Sequence, residues 1–153
     1  MSPTEKITIW IDADACPKPI REVVYRAAFR LSLPVTIVAN TFLQTPPHVK
    51  SVQVEKGSDV ADQYIVEQLK ARDMVITTDI PLAALAVEKG AVVLDHRGEV
   101  YTEENVRERL SMRDFMKEIR DSGVITGGPA PFGPKDVEHF ANALNTILTK
   151  LKL

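Results

Sequence analysis

Hydrophobic positions along the chain fall into two alternating rhythms. Residues 6–12 (KITIWID) form a nearly unbroken apolar run rich in β-branched and aromatic side chains, the pattern of a strand covered on both faces. In residues 17–31, Ile20, Val23, Val24, Ala27, Ala28 and Leu31 recur at three-four spacing, which predicts a helix with one buried face. Pro17 sits near its first turn, where a missing N–H is harmless. Pro34 ends that helix, 35–39 (VTIVA) is a second strand, and 40–50, with Pro46 and Pro47, is a connecting loop. A short strand is expected at 52–54 and a helix at 59–71, with Val60, Ala61, Tyr64, Ile65 and Leu69 turned inward. Residues 74–78 (MVITT) make a fourth strand, 81–89 a helix stopped by Gly90, and 91–94 (AVVL) a fifth strand. Strand and helix alternate, so the expected fold is α/β: a mostly parallel sheet of about five strands with helices on both faces.

After Asp95 the rhythm changes. His96-Arg97-Gly98 reads as a turn, 103–120 as a charged helix, 123–134 as a Gly/Pro-rich segment, and 135–151 as a last helix. Each C-terminal helix carries one apolar stripe that needs the sheet to bury it, so residues 1–153 read as a single domain. The Gly/Pro-rich segment has too many prolines for a phosphate cradle, which uses backbone N–H donors. A rigid loop over the site or an oligomer contact, anchored by Phe132, is the expectation.

Composition narrows the class without choosing the chemistry. Hydrophobic residues make up 44% of the chain, too many for a disordered protein. No apolar run approaches the roughly 20 residues that span a bilayer. The first residues lack the basic and apolar regions of a signal peptide, and the single cysteine cannot form an internal disulfide. A cytoplasmic protein with no membrane association is expected. The net charge of −2 shows no general basic surplus for nucleic acid, though it leaves room for a local basic patch.

The candidate chemistry lies in acidic residues at element ends. Asp12 and Asp14 close the first strand, where open α/β sheets bind their ligands. Asp59 and Asp62 open the second helix, three residues apart and so on one face, with Asp62 the better placed to point inward. Asp79 follows the fourth strand and meets Asp12 if strands one and four are neighbours. Hard carboxylate oxygens converging from separate elements suit Mg2+ or Mn2+. Such an ion activates water and stabilises the leaving oxygen of a phosphodiester. Each residue also has a plainer role: Asp79 and Asp59 as helix N-caps, Asp14 as a cap of the first helix. Capping covers Asp12 and Asp62 less well.

Four blocks in order, residues 11–17 (IDADACP), 57–62 (GSDVAD), 77–84 (TTDIPLAA) and 127–134 (GGPAPFGP), resemble the bacterial YaiI/YqxD family over nearly the whole chain. That family is functionally uncharacterised. At fold level the pattern is similar to PIN-like domains, many of them metal-dependent ribonucleases, and implies a three-layer sandwich. The resemblance places Asp12, Asp62 and Asp79 as catalytic metal ligands, with Asp14 and Asp59 as added donors. The helical position is often Glu in that wider group, and Asp62 has the shorter reach. The further acidic residue often found near the fifth strand corresponds to Asp95.

Lys18 and Arg21, in the first turn of the first helix, and Arg97, after the fifth strand, are candidate phosphate contacts against the alternative of ordinary surface cations. Cys16 lies at a helix N-terminus, where a thiolate would be stabilised, against the alternative of a packed thiol. His48, His96 and His139 show no metal-ligand spacing. Three functions follow: a metal-dependent nuclease hydrolysing RNA, a non-catalytic RNA- or protein-binding module, and a haloacid-dehalogenase-type phosphatase built on Asp12-x-Asp14. The last lacks a second carboxylate after Asp79 and ranks lowest.

Overall fold

The most apolar run of the chain becomes the middle of the sheet. The computed structural model describes residues 7–57, 59–123 and 132–151. Strand β1 (Ile9–Asp12) is buried throughout and leads through a 3-10 turn (Ala13–Ala15) into α1 (Lys18–Leu31). Then follow β2 (Val35–Ala39), β3 (Val49–Gln53), α2 (Val60–Gln68), β4 (Met74–Ile76), α3 (Ile80–Glu88), β5 (Val92–Leu94), β6 (Val100–Tyr101), α4 (Glu103–Asp121) and α5 (Pro134–Lys150). The strand order is β3-β2-β1-β4-β5-β6, with the first five parallel and β6 antiparallel to β5. The expected mostly parallel α/β sheet is present, with six strands rather than about five.

Alternation along the strands sends successive side chains to opposite faces. Ile9 and Ile11 join Ile20, Val24 and Ala28 of α1 and Phe140, Leu144 and Leu148 of α5 in one core. Trp10, Val75 and Val93 join Ile65 of α2, Leu82 and Ala86 of α3 and Val106 of α4 in the other. The sheet therefore has helices on both faces. By the same parity Asp12 belongs to the side of Trp10, toward α2 and α3. Among the described residues no helix is long and apolar enough to cross a membrane.

Several element bounds differ from those the sequence predicts. Strand β3 runs from Val49 rather than 52, because it is an edge strand that buries Val49 alone and shows little apolar signal. Helix α2 stops at Gln68 rather than 71: Leu69 is extended and buried, and the Asp73 carboxylate takes the Lys70 N–H. Strand β4 ends at Ile76 because Thr77 turns the chain, its hydroxyl accepting from the Asp79 N–H at 3.0 Å. Helix α4 corrects the expectation that the sheet buries each C-terminal stripe. It packs beside α3 and buries Val106, while Met112 and Phe115 remain exposed. Residues 124–131 of the Gly/Pro-rich segment, and Ser58, lie outside the described residues. Phe132 packs against the α1–α5 core and edge-on to His96.

Candidate acidic site

In the strand order 3-2-1-4-5, the chain reverses direction of travel between β1 and β4, which opens a crevice at their carboxyl ends. Asp12 is the last residue of β1 and is only 4% exposed. Across the crevice Ile11 pairs with Ile76, so Thr77 comes next to Asp12. The Thr77 hydroxyl donates to Asp12 Oδ2 at 2.9 Å. Thr77 thereby links the Asp79 backbone N–H to the Asp12 carboxylate. Sequence reasoning assigned Thr77 no role; the Thr-Thr-Asp run after an apolar strand was the available signal.

Two helices bring the remaining carboxylates. Asp79 is the N-cap of α3 and accepts from the Leu82 N–H at 2.9 Å, so its expected capping role is real. Asp59 occupies the N-cap position of α2 without capping through its side chain, a correction to the expected cap. Its backbone is left-handed, with φ 67°, a conformation uncommon outside glycine. Gly57, also at positive φ, leads into this turn, where a Cβ would meet Val60 Cγ2 at 3.2 Å. Asp14 does not cap α1 either: the N-cap there is Pro17, and Asp14 sits exposed in the 3-10 turn.

Asp12, Asp14, Asp59, Asp62 and Asp79, with Gly57 and Ala61, line one cavity of about 260 Å3, and no lysine or arginine is among these lining residues. The five candidate carboxylates thus come from three separate segments, 12–14, 59–62 and 79, to one rim of the sheet. No three His, Cys, Asp or Glu side chains among the described residues are already drawn together closely enough to hold an ion. The N-termini of α2 and α3 both open on the cavity, and their partial positive charge offsets some of the repulsion.

The electrostatics follow from that crowding. Burial pushes the Asp12 carboxyl up to about 6; the Thr77 hydrogen bond opposes this, and the charges of Asp79 and Asp14 reinforce it. Asp62 is pushed up to about 7 by burial, then by Asp79 and Asp12, with a hydrogen bond to Asp79 favouring its protonated form. These carboxylates face one another in place of counter-charges.

The other candidates lie elsewhere. Lys18 and Arg21 start α1, on the segment that follows Asp14, without lining the cavity. Arg97 pairs with Asp136 of α5 at 3.1 Å and lies over the Phe132 ring. Asp95 is outside the cavity and organises the β5–β6 turn. Its Oδ1 accepts from the N–H groups of Arg97 and Glu99, at 2.8 and 2.9 Å. The Cys16 thiol is buried and pushed up to about 12, which matches a packed thiol and opposes a stabilised thiolate.

A family model described as "Uncharacterized BCR, YaiI/YqxD family" matches residues 10–150. The chain belongs to the YaiI/YqxD family. A UPF0178 protein of Shewanella sp. (strain MR-7) is 53% identical over 150 residues, covering 97% of this chain and 99% of that relative. A UPF0178 protein of Trichlorobacter lovleyi is 56% identical over 147 residues, covering 95% and 96%. Another from Aeromonas salmonicida is 53% identical over 147 residues, covering 95% and 98%. This member of the YaiI/YqxD family therefore aligns with these relatives over nearly its whole length.

Proposed function

We propose that this YaiI/YqxD protein is a PIN-like, Mg2+- or Mn2+-dependent nuclease that hydrolyses RNA phosphodiester bonds. One observation carries the reading: five carboxylates from three segments of the chain line a single cavity at the switch point of the sheet, with no cationic side chain among them. Hard carboxylate oxygens are the donor set that magnesium and manganese prefer, and burial among like charges leaves Asp12 and Asp62 short of a counter-charge. Asp12, Asp62 and Asp79 would hold the ion, with Asp14 and Asp59 as further oxygen donors. A bound ion supplies Lewis-acid activation of water and neutralises charge at the leaving oxygen.

The chain's own residues set the conditions for that chemistry. The Thr77 hydroxyl and the Asp14 backbone N–H both bond the Asp12 carboxylate and hold it at the rim of the cavity. Asp79 is held by its cap to α3, which fixes the rotamer it presents. Protons compete for Asp62 near neutrality, so the site is fully ionised only above about pH 7. Lys18 and Arg21, at the start of α1, are the cations best placed to meet phosphates flanking the rim.

The capping bond of Asp79 favours a second reading, a non-catalytic RNA- or protein-binding module whose carboxylates shape the fold. Cleavage of unstructured RNA by purified protein separates the two. Manganese-stimulated hydrolysis that falls on the order of a hundredfold in Asp12→Asn supports the nuclease. Hydrolysis that is absent, metal-independent or unchanged in the variant leaves the binding module.

A further inference from the structure

The outward face of α1 has a composition unlike the rest of the chain. Lys18, Arg21, Arg26 and Arg30 stand against Glu22 alone, a surplus of three positive charges on one helix in a chain of net charge −2. Among the described residues Lys18, Arg21 and Arg26 make no salt bridge, and Arg30 bonds to the neutral Asn145 amide, at 3.2 Å. Between these cations rise aromatic rings. Phe29 is 71% exposed, and Phe42, on the loop between β2 and β3, is 78% exposed; they are the most exposed large apolar side chains among the described residues.

The loop builds the other wall. His48 lies edge-on to Phe29, ring centroids 5.2 Å apart, and to Tyr25 at 6.4 Å. A carbonyl oxygen only accepts, so His48 Nε2 carries the proton it donates to the Tyr25 carbonyl, at 3.0 Å, which fixes the ring. Tyr25, Arg26, Phe29, Pro46 and His48, with Glu22 at the edge, line an open cleft of about 360 Å3. Helix α1 begins at the rim that carries Asp14, so a track of cations and rings leads down the molecule from the acidic site.

We propose that this face of α1, with the 40–48 loop, docks single-stranded RNA, its phosphates on Arg26, Arg21 and Lys18 and its bases against Phe29 and His48. Charge complementarity selects a polyanion. Rings set among cations select one with accessible base faces, which a duplex lacks. The inference rests on the RNA reading of the acidic rim, but its test does not need cleavage.

A fluorescein-labelled single-stranded oligoribonucleotide of about 12 nucleotides is titrated with protein in EDTA and followed by anisotropy. Saturable binding is expected, weakened about tenfold by Phe29→Ala. Arg26→Ala should lower the slope of log affinity against log salt by about one. Both side chains are exposed, so these variants keep the fold. A matched duplex should bind more weakly and be insensitive to Phe29→Ala. Binding unchanged in both variants overturns the proposal. Self-association abolished by Phe29→Ala, without strand binding, also overturns it and assigns the face to a second copy. Phe29-dependent binding without manganese-dependent cleavage upholds this inference and ends the nuclease reading; cleavage with unchanged binding does the reverse.

Discussion

Asp12, the last residue of β1, and Asp73, just before the adjoining β4, are both buried aspartates, at opposite rims of one sheet. Asp73, before β4, is surrounded by donors: the Thr8 N–H at 2.9 Å, the Lys70 N–H at 3.0 Å and the Trp10 indole at 3.1 Å. Those bonds tie the entry of β1 to the α2–β4 turn and compensate the charge locally. Asp12 has the Thr77 hydroxyl and the Asp14 backbone N–H and, beyond them, other carboxylates. A carboxylate buried for structure comes with its partners built in. On the proposed reading, one buried among like charges takes a divalent cation as its partner, which oxygen donors from several elements suit.

Removing each region should have opposite consequences. Asp73→Ala leaves three donors without an acceptor and should destabilise the protein by about 3 kcal/mol, read as a lowered urea midpoint. A change within about 0.5 kcal/mol would show that Asp73 does not hold the strands together. At the other rim, Asp62→Asn removes a repelled charge and should raise the stability of metal-free protein at pH 8. The gain should be about 1 kcal/mol, reduced from the full pKa effect because Asp62 is partly exposed and solvent-screened, and it would raise Tm by a few degrees. A lowered Tm would mean the carboxylate is a structural acceptor like Asp73.

The same contrast has a smaller signature in pH. A carboxyl whose pKa is raised by folding binds protons more tightly in the native state than in the unfolded chain. Its stabilising contribution is therefore complete below the unfolded value of about 4 and is lost as pH rises through about 6 for Asp12 and about 7 for Asp62. Metal-free wild type should lose stability between pH 5 and pH 8, and Asp62→Asn should flatten that slope. A slope identical in the two proteins would place the titration elsewhere.

The comparison also explains what could be read before the fold was known. Strands β1 and β2 are buried at every position, so their apolar runs stood out, as did the three-four spacing of α1. The edge strands β3 and β6 bury one side chain each and left no comparable trace. Asp12 was legible because it directly follows an apolar run, Asp79 because it closes the Thr-Thr step after one, and Asp62 because it shares a helix face with Asp59. Thr77, the left-handed turn at Asp59 and the donors around Asp73 were not. The Thr77 bond and the donors around Asp73 depend on partners brought close by the sheet's strand order, which no local pattern encodes, and the turn at Asp59 is a backbone conformation without a hydrophobic pattern. Asp95 was placed by analogy; the β5–β6 turn instead uses its carboxylate for two backbone N–H groups.

Calorimetric titration of Mn2+ into wild type and Asp12→Asn, at pH 6 and pH 8, addresses the acidic rim most directly. Saturable binding to wild type, tighter at pH 8 because protons no longer compete for Asp12 and Asp62, and lost in Asp12→Asn, is the predicted result. No saturable binding to wild type, or equal binding by the variant, would contradict a cation site at these carboxylates.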